Sequence, residues 1–570
     1  MHWANHETHH STPPHRRGGA AHLSLWVGAV LLAVHGLAAG DTRLPGVIDR
    51  PPETPPALER GAITELPAMP RPIPSAGDGT AETITTFSAV TFTGMSVVSA
   101  ADLSRAASPY LNRPLTGADL AQLKFDITRL YFERGYVLMK VTTPPQNISD
   151  GILDVVIHEA RVGQLQVVHE GRLRGRIATA LARRLKSDAV FHEGDIESLA
   201  NDYNDLAGLG AALTLHKGIA PGSTDLTLTL TAQDEDVQQF TLDNYGSDLT
   251  GNWVGAMRLQ TSNTLRLGEI LGLQLRASDG KLWSAGVDAN TPLGLGNLRL
   301  NFEYSHSEND IGDRLAFLDA SGTSDRARLT LSSAPINTRV RKFTLRSGLE
   351  MRTHESELAN VTESRDHLRQ WLVEGSYLLR QASWMGYGAV TLSKGLDIFG
   401  ASERGNALAS RHRGVAAAWR LQPLFYGLVR LSDNSHLNAF VSGQIASHSL
   451  LSSDLFALGG YGSVRGFEPA ETTGEAGAQY SLEYARRLGV WSTTQWTAGV
   501  FNDGGRVWNR ISGSIVDDTL HSAGFYLEAV YRTQTPHNTT LRIDAAAPLG
   551  DYASQTVDDY QVLVRLTQLF

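Results

Sequence analysis

Residues 296–306 read Gly-Asn-Leu-Arg-Leu-Asn-Phe-Glu-Tyr-Ser-His. In an extended strand successive side chains point to opposite sides. Leu298, Leu300, Phe302 and Tyr304 therefore share one face, and Asn297, Arg299, Asn301 and Glu303 the other. Residues 342–352 repeat the pattern, with Phe343, Leu345, Leu349 and Met351 opposite Lys342, Thr344, Arg346, Glu350 and Arg352. Residues 268–277, 326–332 and 541–545 alternate likewise. Between 236 and 570 roughly 16 such segments recur at even spacing, matching strands of about 9–11 residues that cross a bilayer with turns between them. Half-apolar strands also occur in soluble sandwiches. Number and spacing favour a closed cylinder with lipid outside and a hydrated, charged lumen. An arginine turned to lipid at mid-depth would cost roughly 2–4 kcal/mol, so the register is expected to be tightly held.

The 570 residues suffice for two or three domains, and with 19% charged and 42% hydrophobic residues most of the chain is expected to fold. There is no cysteine. This excludes disulfides and thiolate metal sites and suits a chain that crosses an oxidising periplasm. A net charge of −9 argues against a nucleic-acid partner. Residues 1–40 read as a signal peptide: His15, Arg16 and Arg17 form a basic flank, 20–36 an apolar run, and Ala38, Ala39 and Gly40 a small-residue cleavage site. Past residue 40 no apolar run reaches the ~18 residues of a spanning helix. Residues 41–80 form a linker that Pro45, Pro51, Pro52, Pro55, Pro56, Pro67, Pro70, Pro72 and Pro74 keep extended.

Two α+β modules follow, at 84–160 and 161–234. In the first, 86–92 reads as a strand, and Thr116 with Asp119 makes a capping box. The helix behind it repeats Leu120, Leu123, Ile127, Leu130 and Tyr131 and stops at Gly135. Strands at 136–142 and 151–159 complete it. In the second, a strand at 162–169 precedes two helices, marked by Leu173, Ile177, Leu181 and Leu185, then by Ile196, Leu199, Tyr203 and Leu206. Gly208 and Gly210 stop the second helix, and strands at 211–216 and 224–231 follow. A helix pair on a three-stranded sheet leaves edge strands free. The expected fold is mainly β: a 16-stranded antiparallel transmembrane β-barrel at 236–570, preceded by two α+β modules.

The longest non-alternating interval in the barrel region, 446–477, contains Gly-Ser-Val-Arg-Gly-Phe at 462–467. Long loops in compact folds tend to be functional, and flanking glycines let a tip fold tightly enough to enter a lumen. Farther on, 501–505 reads Phe-Asn-Asp-Gly-Gly. Trp496, Ala498 and Val500 take the lipid parity there, which turns Asp503 inward with Thr497, Gly499 and Phe501. Arg465 and Asp503 are natural partners for a charge-assisted contact. Spacing alone leaves open that Arg465 faces water and Asp503 is one lumen charge among many. The last strand, 560–570, puts Tyr560, Val562, Val564, Leu566 and the terminal Phe570 on one face, the form of a barrel-assembly signal.

Val464-Arg465-Gly466-Phe467 resembles the VRG(F/Y) plug-loop tip of TpsB-type transporters of two-partner secretion, the FhaC/ShlB/HecB haemolysin secretion/activation family, related to BamA. Phe501-Asn502-Asp503-Gly504-Gly505 is similar to that family's FxDxG strand motif. The resemblance implies that Arg465 and Asp503 are the interacting pair, and that the loop at about 448–476 is a plug. It implies POTRA domains at 84–160 and 161–234, in the periplasm, and a barrel in the outer membrane of a Gram-negative bacterium. The implied function is a pore that recognises, translocates and releases a large haemolysin- or adhesin-like TpsA exoprotein. The other implied partners are outer-membrane lipid and the barrel assembly machinery; no cofactor, metal or catalytic residue is implied. BamA-like relatives share the arginine motif but commonly carry five POTRA modules, and TamA-like ones three. Insertion of other barrels is the alternative function. Some members carry an N-terminal plug helix, for which 41–50 is short and proline-bounded. The strand bearing Tyr136, Leu138, Lys140 and Thr142 is the candidate edge for an extended client, because main-chain pairing tolerates varied sequence.

Other constellations are weak. His2, His6, His9, His10 and His15 precede the cleavage site and leave with the signal. Residues 460–466 lack GxGxxG spacing, and neither a Walker lysine, an HExxH nor a GxSxG elbow occurs. His412, Asp433 and His436 are possible rim residues for an outer-membrane hydrolase but show no nucleophile–base pattern. The chain is expected not to be an enzyme.

Overall fold

The hydrophobic residues of the C-terminal region lie on the outside. In the strand Ala320–Asn337, Leu329 and Leu331 are 50% and 44% exposed while Thr330 between them is 2% exposed. The same inversion buries Asn301, Glu350, Arg352 and Asp544 and exposes Phe302, Leu349 and Ile543. Such a surface is stable only against lipid, with the polar parity turned to an inner cavity. This computed structural model describes residues 83–233, 235–511, 514–532, 537–550 and 559–570. The expected signal peptide, linker and N-terminal histidines lie outside the described residues.

Among the described residues sixteen antiparallel strands, from Val237–Asp243 to Gln561–Leu569, form a closed barrel. The expected count and closure are those observed. Inward charges on neighbouring strands pair: Arg326 Nη2 lies 2.8 Å from Glu350 and Arg346 Nη1 3.3 Å from Glu374. First and last strands meet over five register positions, from Arg565 opposite Asp243 to Leu569 opposite Gln239. Asn244 lengthens this seam by donating to the Val562 carbonyl and accepting from the Val564 N–H. The Phe570 N–H donates to the Gln238 carbonyl, and its ring stays exposed.

In the first module, Ile152–Glu159 is the central strand, parallel to Ala89–Thr93 and antiparallel to Met139–Thr142. The helix Gly117–Phe132 begins on the expected capping box, since Thr116 and Asp119 each accept the other's backbone N–H. Leu123, Ile127 and Tyr131 on this helix are buried against Leu153, Val155 and Ile157 on the sheet. Three features differ from expectation. The strand expected at 86–92 is two pieces, Thr83–Thr86, paired with Pro114–Thr116, and Ala89–Thr93. The other helix of the expected pair, which the sequence left unplaced, spans Ala100–Ala107, with the Ser99 hydroxyl accepting the Asp102 N–H and Leu103 buried. The edge strand begins at Met139 rather than at 136, because Tyr136 packs edge-on against Tyr131 and His192.

The second module repeats the order. Ser223–Ala232 is central, parallel to Arg161–Val168 and antiparallel to Leu209–Lys217. The helices Gly175–Ala182 and Glu193–Asn204 close over it through Ile177, Leu181, Ile196, Leu199 and Tyr203. The second helix also fastens this module to the barrel rim. Asn337 Nδ2 donates to Asp202 at 3.0 Å and to Asp205 at 2.9 Å, and Lys342 Nζ lies 2.7 Å from Asp205. The long connection 447–475 leaves the barrel at the opposite rim.

Candidate functional site

Residues 447–475 fold back into the lumen, within two residues of the interval expected from the sequence. Phe456–Leu458 pairs with Thr472–Gly474 to make a short hairpin. At its end Leu458, Val464 and Phe467 are buried against Val507 and Leu520 of the wall. Two glycines permit this approach. Gly466 sits at φ +89°, where side chains are strained, and a Cβ on Gly505 would come within 2.6 Å of Leu458.

This apolar seat holds Arg465, 3% exposed, against Asp503, 0% exposed. Nε donates to Asp503 Oδ2 at 2.7 Å and Nη2 to Oδ1 at 2.9 Å, the two-pronged geometry that suits a planar guanidinium. Two more carboxylates converge on the same group: Nη1 lies 2.6 Å from Glu483 and 3.2 Å from Asp544. Arg542 completes the cluster, 2.8 Å from Asp544 and 3.2 Å from Glu483. The guanidinium of Arg465 also lies 3.4 Å from the centre of the Phe501 ring, a cation–π contact. Two cations thus face three carboxylates in a space closed to water.

The residues picked from the sequence in these two motifs come together here: Val464 and Phe467 in the apolar seat, Gly466 and Gly505 at the close approaches, Phe501 under Arg465. Glu483, Asp544 and Arg542 were missed. Their signal was present, since each has lumen parity on an alternating strand, but many inward charges share that parity. The other picks lie elsewhere. Tyr136 and Leu138 pack at the junction of the two modules, which leaves Lys140 and Thr142 on the free edge. Phe570 is on the module-side rim. His412 belongs to the loop after Trp384–Gly395 at the far rim, whereas Asp433 and His436 lie at the module-side hairpin, so these three form no common site.

A family model described as "Haemolysin secretion/activation protein ShlB/FhaC/HecB" matches residues 222–526, more than half of the chain. The chain belongs to the ShlB/FhaC/HecB haemolysin secretion/activation family. A second model, "POTRA domain, ShlB-type", matches residues 85–160. The outer membrane transporter CdiB of Dickeya dadantii (strain 3937) is 25% identical over 417 residues, covering 70% of this chain and 72% of the relative. The heme/hemopexin transporter protein HuxB of Haemophilus influenzae is 22% identical over 417 residues, covering 71% and 72%. Among solved structures, CdiB from Escherichia coli superposes with a TM-score of 0.76 at 21% identity, covering 94% of this chain and 99% of that one. CdiB from Acinetobacter baumannii gives 0.67 at 17%, covering 95% and 99%. The chain is accordingly a two-partner secretion transporter of the Gram-negative outer membrane, its POTRA region periplasmic, with a secreted exoprotein as partner.

In this ShlB-type transporter the descending arm of the loop carries one further ionisable contact, at the outer rim. Glu468 leans on the hairpin after the first barrel strand, beside Ser247 and Asp248. Burial, with the Asp248 carboxylate second, pushes its carboxyl up to about 7. A displaced loop would return Glu468 to water and an ordinary carboxylate value near ~4.3. The seated loop therefore binds the extra proton: its stability is fully present below about pH 4, where both states are protonated, is lost progressively between about 4 and 7, and levels off above 7. Channel opening is expected to rise between about pH 4 and 7, by at most about tenfold per unit, the limit for one proton, and to level off above 7. Single-channel recordings of the Glu468→Gln variant are expected to lose that pH dependence.

Proposed function

We propose that the chain captures an unfolded exoprotein in the periplasm, threads it through the lumen and releases it outside when the loop bearing Arg465 is displaced. The observation that supports this reading is a lumen closed by a folded-in loop whose tip is held to the wall by a buried ion cluster beside a small apolar seat. Such a hold loses little when broken into water, because both charges recover their hydration. Residues 161–234 serve as a second POTRA domain, and 41–80 as the linker behind a cleaved signal. Phe570 presents the terminal strand to the barrel assembly machinery, which inserts the cylinder into outer-membrane lipid. The client is a large haemolysin- or adhesin-like protein, and its folding outside the cell supplies direction.

Client capture is assigned to the free edge Met139–Thr142. In antiparallel pairs, hydrogen-bonded and non-bonded positions alternate. The Ala160 N–H donates to the Leu138 carbonyl, so Leu138, Lys140 and Thr142 bond inward, and the N–H groups of Met139 and Val141 point outward. Proline on an edge strand is tolerated where its missing N–H faces solvent. A Val141→Pro variant is expected to insert normally and to lose cross-linking to, and secretion of, its exoprotein. Full secretion by that variant would remove this strand from the proposal.

A further inference from the structure

Arg465 is not the only ionic hold on the loop. Before the hairpin, Ser452–Asp454 forms a single turn pressed against a different part of the wall, and Asp454 is buried. Its Oδ1 receives Arg352 Nη2 at 2.7 Å and Arg420 Nη2 at 3.1 Å, and its Oδ2 receives Gln370 Nε2 at 2.7 Å. Arg352 Nη1 also donates to the Ser453 carbonyl at 3.0 Å, and Gln444 Nε2 to that of Asp454 at 2.8 Å. The wall residues are fixed in turn: Arg352 Nε holds Glu350 at 2.9 Å, and Arg420 Nη2 holds Gln370 Oε1 at 2.7 Å.

These partners lie on Arg341–Leu358, Val361–Arg380, Trp419–Ser432 and Ser435–Ala446. Those of Arg465 lie on Ala476–Trp491, Thr494–Ile511 and Asn538–Pro548. The two sets have no residue in common, so one hold can break while the other persists. With Asp454 in place, its carboxylate balances Arg352 and Arg420. Once it leaves, those two cations share the wall with Glu350 alone, which Arg326 and Arg328 already engage. Water filling a vacated lumen would tolerate that imbalance; a dry, occupied lumen would not.

We infer that Asp454 is a second latch of the plug, independent of Arg465, and that the pore conducts only when both have released. The inference rests on reading this loop as a movable plug. The rival arrangement is a fixed pivot, with Asp454 held while only the Arg465 end swings out. Full-length protein in planar bilayers separates the two. The readout is conductance, which needs no client, so failure here is distinct from failure of the secretion reading. Asp454→Asn keeps the shape and removes the charge, and is expected to raise the open fraction at least about tenfold, given what loss of one buried partner costs. Combined with Asp503→Ala, the two effects should multiply, because sites without shared partners add in free energy. An Asp454→Asn trace identical to the parent overturns the latch. A second variant keeps the test open if Asp454→Asn fails to assemble. The chain has no cysteine, so Asp454→Cys with Arg352→Cys removes both charges together and can be bridged by a short bismaleimide. The bridged pore is expected to stay shut where the same molecules opened before treatment. Continued opening after bridging would mean a pivot, and the inference fails.

Discussion

Replacing Arg465 by alanine is expected to cut secretion by about a hundredfold or more while barrel insertion persists, and to do more damage than replacing Asp503. The asymmetry follows from the cluster. Asp503→Ala leaves Arg465 between Glu483, 2.6 Å away, and Asp544, 3.2 Å away, so the loop tip keeps two of its three anionic contacts. Arg465→Ala leaves three carboxylates facing Arg542 alone, with Asp503 fully buried. Removing one partner of a buried ion pair costs about 3–5 kcal/mol, because the other is stranded without water. That equals about two to four decades in an equilibrium. The seated state of the tip is lost, and an unseated loop fills the lumen in many arrangements instead of alternating between two. Lysine at 465 should not rescue secretion, since one ammonium cannot hold the Asp503 carboxylate at two points and still reach Glu483. Export assayed beside heat-modifiable migration separates gating from assembly. Parent-level secretion by both alanine variants would end the gating proposal.

The same cluster shows what was legible in the sequence. Alternation gave the barrel, because a one-residue slip would turn every charge of a strand toward lipid, and the polar parity marks the inside. The interruption of alternation at 446–477 gave the loop to within two residues of its observed limits. Which inward charges converge was not legible. Glu483, Arg542 and Asp544 meet Arg465 through the stagger of the strands Ala476–Trp491 and Asn538–Pro548, and parity carries no information about stagger. Asp454 was hidden similarly: a lone aspartate in a Ser-rich turn looks like a solvated loop residue until three wall side chains close on it. In the first module the helix Ala100–Ala107, one of the expected pair, could not be placed because eight residues carry little periodicity. Its Ser99 cap and buried Leu103 were the available marks. Tyr136 was read as strand on propensity, and tertiary packing against Tyr131 and His192 decided otherwise.

Deleting residues 85–232 is expected to abolish secretion yet leave a conducting pore. The modules fold around cores of their own, one centred on Leu123, Ile127 and Leu153, the other on Ile196, Leu213 and Leu228. The barrel closes through its own sixteen strands. What joins the two parts is largely polar: Asn337 and Lys342 on the rim meet Asp202 and Asp205 on the second module's helix. Cut free, those rim groups take up water at small cost, unlike an exposed apolar face. Insertion and conductance should therefore survive, and only capture should be lost. A shorter deletion, 85–160, sharpens the test because it removes the edge strand Met139–Thr142 and spares the contact with the rim. It should also expose the side of the second module's core against which Phe132, Val137 and Leu138 pack, so binding is best measured at the membrane, where aggregation of the exposed face can be monitored. Secretion is expected to fall to background in both deletions. If the shorter one still exports its partner at parental rates, the first module is not where the client is caught, and the free edge Leu209–Lys217 of the second becomes the place to look.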